Sequence, residues 1–195
     1  MPAHASRMPQ PGSVVHLDAH ADLRESYHGT PYSHACPVTR IRAQGHHVVM
    51  VGIRSVYEPE AARIATDVGI ELFMDRTLQR ADGWSRLIDS LRRLRGPVWL
   101  SVDMDAFDPA LVPGVGTPQP GGLSWYQAVE ILEAVAGNPD VQLQGVDIVE
   151  LVPDPAQVSD TVAAKLIQKA ISFWGQARGF DRRAPAGSQS GISDE

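Results

Sequence analysis

The sequence predicts an α/β protein built on one parallel sheet, and three observations carry that expectation. Short apolar runs alternate with amphipathic stretches along the chain, the order expected of repeated strand-helix units. The runs are apolar throughout rather than at every second residue, as in strands covered on both faces. The 195 residues suffice for one sizeable core and are too few for two ordinary domains.

Taken in order, strands are expected at 13–17, 47–53, 70–73, 98–102 and 146–149. Helices fill the gaps at 58–66, 84–94, 125–135 and 161–174. In the second of these, Leu87, Ile88, Leu91 and Leu94 recur at spacings of three and four and define one apolar face. Ser124 is the expected N-cap of the third, its hydroxyl accepting from an otherwise unpaired backbone N–H. Residues 1–12 are expected to be flexible, 13–181 to form the one folded domain, and 182–195, rich in Gly, Pro and Ser without periodicity, to be disordered. No internal repeat is present.

Composition narrows the function. Hydrophobic residues make up 43% of the chain and charged residues 21%, a globular balance. No apolar run approaches the roughly 20 residues that cross a bilayer, so no membrane partner is expected. The net charge of -6 argues against nucleic-acid binding, which needs a basic surface; Arg92-Arg93 and Arg182-Arg183 are expected to be solvated surface pairs. One cysteine, Cys36, cannot form an internal disulfide, and residues 1–12 lack the apolar core of a signal peptide, so a reducing cytoplasm is expected.

In a parallel sheet, ligands bind beyond the carboxyl ends of the strands. The first strand runs into HLDAHADLR, which sets Asp18, His20 and Asp22 two residues apart. Alternate residues of an extended chain point the same way, about 7 Å apart. Carboxylates flanking an imidazole suit hard or borderline divalent metals such as manganese. Alone, the pattern could equally be a polar strand end with a solvated turn. The strand at 98–102 ends in SVDMDAFDP, however, and brings Asp103 and Asp105 to the same sheet edge. Four converging carboxylates repel one another unless some protonate or cations neutralise them. Asp108, before Pro109, suits a turn.

These blocks resemble the ureohydrolases, the manganese-dependent family that includes arginase and agmatinase, and the resemblance runs from Val14 to about Ile171. HLDAHAD matches the first family signature; SVDMDAFDPALVPGVGTPQPGGL matches the second, and GVDIVELVPDPAQVSDTVAAKLI the third. The resemblance implies a three-layer α/β/α fold, arginase-like but lacking the amino-terminal strands. It implies two manganese ions bridged by a hydroxide that attacks a guanidinium carbon and releases urea. Asp18 and Asp103 then look like carboxylates shared between both ions, Asp22 like a ligand of the first, His20 and Asp105 like ligands of the second. Glu150 resembles the carboxylate that pairs with the guanidinium, the bland alternative being a charge at a helix N-terminus.

The family also implies a proton-shuttling histidine after the first signature. His28 precedes a glycine, as that histidine often does. His34 has the family's spacing, twelve residues after Asp22 at the start of a helix with Arg40 following, and is preferred as the shuttle, with His28 at the surface. The family's first metal position also takes a histidine from about two dozen residues upstream of Asp18, and this chain has only seventeen residues there. The first ion is therefore expected to lack its nitrogen ligand; His4 is an improbable substitute, and His16 is expected to be an ordinary strand residue. An uncovered sheet edge invites pairing with another chain, and a homo-oligomer is expected. The implied substrate is a small guanidinium compound, agmatine first, with guanidinobutyrate and formiminoglutamate open. The competing reading is a catalytically impaired subunit that binds metal or modulates an oligomer. The distantly related deacetylase arrangement is disfavoured by the complete second signature.

Overall fold

The computed structural model describes residues 6–8 and 11–180. The expected disordered tail at 182–195 lies outside them, as do His4 and the rest of residues 1–5 and 9–10. Five parallel strands form the sheet: β1 (Ser13–Leu17), β2 (His47–Ile53), β3 (Ile70–Met74), β4 (Gly96–Asp103) and β5 (Val141–Val149), in the order β3-β2-β1-β4-β5. The chain lays β2 and β3 to one side of β1, then crosses to lay β4 and β5 on the other. The carboxyl ends of β1 and β4 therefore flank the crevice where the strand order reverses, the place at which open α/β sheets bind ligands.

β1 and β2 coincide with the expected 13–17 and 47–53 because both are buried on both faces and mostly apolar. β1 pairs in register with both neighbours, Val15 opposite Val49 on one side and Leu100 on the other. β5 begins five residues before the expected 146. It is an edge strand among the described residues, and its first half alternates apolar with exposed Gln142 and Gln144, so it lacks a continuous apolar run. Its register slips against β4 between Val98 and Trp99, where Gly145 lies under the Trp99 ring. A Cβ at Gly145 would lie 2.4 Å from that indole.

The helices are α1 (Pro37–Ala43), α2 (Glu58–Thr66), α3 (Asp75–Leu78), α4 (Ala81–Arg92), α5 (Trp125–Ala136) and α6 (Val158–Ala177). Alternate β1 residues feed two cores. Val15 and Leu17 join Val49, Val51, Leu100 and the apolar faces of α4, α5 and α6. Val14 joins Val48, Met50, Trp99 and the α1 residues Val38 and Ile41, and Met8 packs there too. Ser124 caps α5 as expected, Gln127 N donating to its Oγ at 3.3 Å while the Gln127 side chain accepts from Ser124 N at 2.9 Å. α6 begins before the expected 161 because Asp154, outside the helix, accepts from Val158 N and Ser159 N. α1 starts at Pro37, where a missing N–H is harmless. His34, expected to begin this helix, lies in the turn before it.

Candidate metal centre and active-site cavity

Asp18, at the end of β1, is 1% exposed and lies between two imidazoles, one oxygen toward each. Its Oδ2 is 3.0 Å from His16 Nε2. Its Oδ1 is 3.5 Å from His20 Nδ1 and accepts from the His20 backbone N–H at 2.6 Å. His20 Nδ1 is also 3.1 Å from Asp105 Oδ2. Two three-residue groups therefore share Asp18: His16, Asp18 and Asp22 on one side, Asp18, His20 and Asp105 on the other. In each, the potential ligand atoms lie within 4.8 Å of one another. Each offers one nitrogen and two carboxylates, the donor set of a borderline divalent ion.

Of the five residues expected at the metal, Asp18, His20, Asp22 and Asp105 fall into these groups. Asp103 lines the same cavity, and its Oδ1 accepts from Asp105 N at 2.9 Å, capping the 3-10 turn Met104–Ala106. His16, expected to be an ordinary strand residue, belongs to the first group. Nothing in the pattern VVHLD distinguishes it from a core position; only the turn of the chain after β1 brings Asp22 back beside it.

Asp22 makes that return in the left-handed region, φ 53°, a conformation a residue with a Cβ adopts at a cost of about 1–2 kcal/mol. Glu150 does the same at φ 58°, turning off the end of β5 to the cavity. Both are candidate site residues, and such strain gathers where function over-determines the backbone.

The His20 side is heavily braced. Asp105 Oδ1 accepts from Ala19 N at 3.1 Å, and Thr117 Oγ1 donates to its Oδ2 at 2.9 Å. The Gln119 side-chain Nε2 is 3.3 Å from His20 Nε2, on the far side of the ring from Asp105. Arg54 reaches from the end of β2 to the carbonyls of Asp105, Phe107, Gln119 and Pro120 at 2.8–3.2 Å, tying the two loops of the second signature together. Gly122 completes that loop at φ 120°, where a Cβ would sit 2.5 Å from the Phe107 carbonyl carbon. On the other loop, buried Glu60 accepts from Leu23 N at 2.9 Å and Tyr57 N at 2.8 Å, fixing the backbone after Asp22 to the start of α2. Arg54 and Glu60 carry no sequence signal beyond following a strand and sitting in a helix's first turn.

Crowding shows in the proton affinities. Burial pushes the Asp103 carboxyl up to about 10 and the Asp22 carboxyl up to about 8, with the Asp18 charge adding to each. For Asp18 burial acts in the same direction, but the neighbouring His16 and His20 outweigh it and hold this carboxyl well below the usual range. Hydrogen bonding to Asp105 and Asp18 raises His20 to about 10. Buried acids held protonated, together with imidazoles held as cations, imitate the charge that a metal would supply.

A cavity of about 550 Å³ opens over these residues. His34 and Glu150 are both exposed on its wall, with Arg24, Tyr27, Tyr57 and Asp147. His28 is exposed, at φ 49°, and is not part of that wall. Tyr27 meets both histidines edge-on, at centroid distances of 4.1 Å from His28 and 5.6 Å from His34. Arg24 is held between the rings of Tyr27 and Tyr57, 4.8 and 4.7 Å from their centroids. No helix among the described residues is long and apolar enough to cross a membrane.

Comparison with known proteins agrees with this architecture. Residues 1–172 match the model of the arginase family. The chain is 42% identical over 168 residues to an N(1)-aminopropylagmatine ureohydrolase of Thermus thermophilus, covering 86% of this chain and 56% of that protein. It is 38% identical over 165 residues to an agmatinase of Pyrococcus horikoshii, covering 84% and 56%. The crystal structure of the agmatine ureohydrolase of Thermoplasma volcanium superposes with a TM-score of 0.78 at 30% identity, covering 91% of this chain and 59% of that one. The chain thus spans about half the length of the curated relatives it matches. A parallel sheet with its acidic signatures at the switch point, matched by a family model over most of the sequence, shows that the chain belongs to the arginase family.

Proposed function

We propose that this chain is a binuclear manganese ureohydrolase that cleaves a guanidinium C–N bond and releases urea, with agmatine, converted to putrescine, as its leading substrate. The observation that carries the proposal is Asp18 set between two imidazoles, each with a further carboxylate, at the switch point of the sheet. The donor set fits the ions: imidazole nitrogens and carboxylate oxygens, with two acids that hold protons in the metal-free site. Asp18, Asp22, Asp103 and Asp105 with His20 would hold the two ions, Asp18 and Asp103 shared between them. When bound, manganese lowers the pKa of water and polarises the group under attack.

The remaining work falls to the cavity wall. Glu150 presents a carboxylate to a planar cation, a charge-assisted pairing that orients the guanidinium. His34, at the rim, accepts and returns a proton between the reacting centre and solvent, as a residue with one face in water can. Thr117, Ala19 and Gln119 keep Asp105 and His20 in place, so that little reorganisation accompanies the reaction. Asp147 and Glu150 make the wall favourable to cationic substrates, and relatives named for agmatine and for N(1)-aminopropylagmatine support a guanidino amine. A homo-oligomeric, cytoplasmic enzyme is the accompanying expectation.

The test is urea release from agmatine, N(1)-aminopropylagmatine, arginine and 4-guanidinobutyrate by the manganese-loaded chain. Urea from one of the two guanidino amines, in preference to the two acids, supports the proposal. A chain that binds two manganese ions and releases urea from none of them would instead be a metal-binding or oligomer-modulating subunit.

A further inference from the structure

We propose that Arg24 is the residue of the cavity wall that reads the far end of the substrate, its guanidinium admitting a carboxylate there and disfavouring an ammonium. The inference rests on the ureohydrolase reading above and deepens it: Asp147 and Glu150 bear on the guanidinium end of the substrate, Arg24 on the other.

The guanidinium carbon of Arg24 lies over the Tyr27 ring at 4.8 Å and over the Tyr57 ring at 4.7 Å. Aromatic rings engage a guanidinium through its faces and leave its N–H edge unused. Among the described residues that edge has neither a hydrogen bond nor an ion pair. The neighbouring acids are committed elsewhere. Glu25 accepts from Arg40 at 2.9 Å and from Arg63 at 2.6 Å, and Glu60 is taken up by the backbone N–H groups of Leu23 and Tyr57. A planar fork of donors on a cavity wall, paired with no acid, suits a carboxylate, which it binds through two parallel charge-assisted bonds.

The clamp is fixed on every side. Arg24 N donates to Ala35 O at 3.0 Å, and Glu60 ties the residue before Arg24 to Tyr57. Tyr27 and Thr30 exchange backbone hydrogen bonds at 2.9 and 3.1 Å around His28 and Gly29, whose φ values of 49° and 77° are those of a tight hairpin turn. A side chain held in this way has already lost the freedom that binding would otherwise cost. The strand order sets it at the right end of the cavity. Tyr57 follows β2 and Glu150 follows β5, with the carboxyl ends of β1 and β4 between them. Three strand steps of about 4.8 Å put the two flanks roughly 14 Å apart. A guanidinium held over the central carboxylates therefore has Arg24 on the side away from Glu150. An ammonium reaching that side meets a fixed positive charge, and a carboxylate meets the fork.

Urea release by the manganese-loaded chain tests this with agmatine and 4-guanidinobutyrate, two guanidines of similar length whose far ends carry opposite charge. KM and kcat are measured for the wild type, Arg24→Gln and Arg24→Lys; for a guanidine that is bound without turnover, its inhibition constant against the other replaces KM. In Arg24→Gln the constant for 4-guanidinobutyrate should rise by about 10-fold or more, the loss of a charge-assisted bidentate pair. That for agmatine should fall, and kcat should stay near the wild-type value because Arg24 does not touch the reacting atoms. Arg24→Lys, which restores the charge without the fork, should bring both constants part of the way back. Constants that move together in Arg24→Gln, or that Arg24→Lys fails to restore, would show a merely structural role and overturn the proposal while the ureohydrolase reading stands. No urea from either guanidine in the wild type would overturn both.

Discussion

The two sides of Asp18 offer cations the same atoms but hold them by different means. On the His20 side, loops do the holding: Thr117, the Ala19 N–H and Gln119 contact the two potential ligands, and Arg54 fastens the loops behind them. On the His16 side a strand does it, β1 being paired on both edges, with the ring set 3.0 Å from Asp18 Oδ2. The difference teaches that a metal centre can be prearranged by hydrogen bonds to the ligand, which sequence signatures encode as loops, or by burial of the strand beneath it, which leaves no signature.

Removing what the two sides share should have the largest effect. Asp18→Ala is expected to abolish manganese binding on both, because each group loses a carboxylate that compensates its ion. Equilibrium dialysis would show no tightly bound ion; one ion retained would mean that the two sides are independent. His34→Ala is the complement, expected to lower urea release by about 10² to 10⁴ with both ions in place. A larger loss in His28→Ala would reverse the preference for His34.

Loosening one side alone sharpens the contrast. Arg54→Lys loses the fork that reaches several carbonyls at once and should weaken the ion beside His20 by about 10–100-fold while sparing the other. Equal weakening of both, by calorimetry, would show that the loops brace the whole cluster.

Proton linkage separates the metal-free from the loaded state. Asp22, raised by burial to about 8, and Asp103, raised by burial to about 10, hold protons in the folded chain that an unfolded carboxyl at 3.8 has already released. Their contribution is present at acid pH and is lost as pH rises through 8 and then 10, so the metal-free melting temperature should fall from about pH 5 to about pH 9. Manganese must expel the same protons, so its affinity should rise across that interval and its binding should release protons into the buffer. A metal-free melting temperature that climbs with pH would contradict these assignments. The smallest effect belongs to Asp108→Ala, which removes the turn bond from Ala110 N to Asp108 Oδ1 and should cost about 1 kcal/mol with manganese stoichiometry unchanged.

The same division explains what could be seen in the sequence. β1 and β2 were legible to the residue, since strands paired on both edges and covered on both faces show as mostly apolar runs. The first half of β5 was not, because an edge strand tolerates Gln142 and Gln144 facing water. The start of α6 was hidden because its cap, Asp154, is contributed from outside the helix. The spacing of Asp18, His20 and Asp22 exposed the candidate centre, and that of Asp103 and Asp105 its second half. His16 escaped because its partner Asp22 reaches it only through a backbone turn at φ 53°, which strand periodicity does not foresee.

The most direct test of the central claim is an anomalous difference map at the manganese edge from crystals of the loaded chain. Two peaks are predicted, one on either side of Asp18, the first beside the Asp22 carboxylate and the second within bonding distance of His20 Nδ1. A single peak between His20 and Asp105, or none at this end of the sheet, would contradict the account.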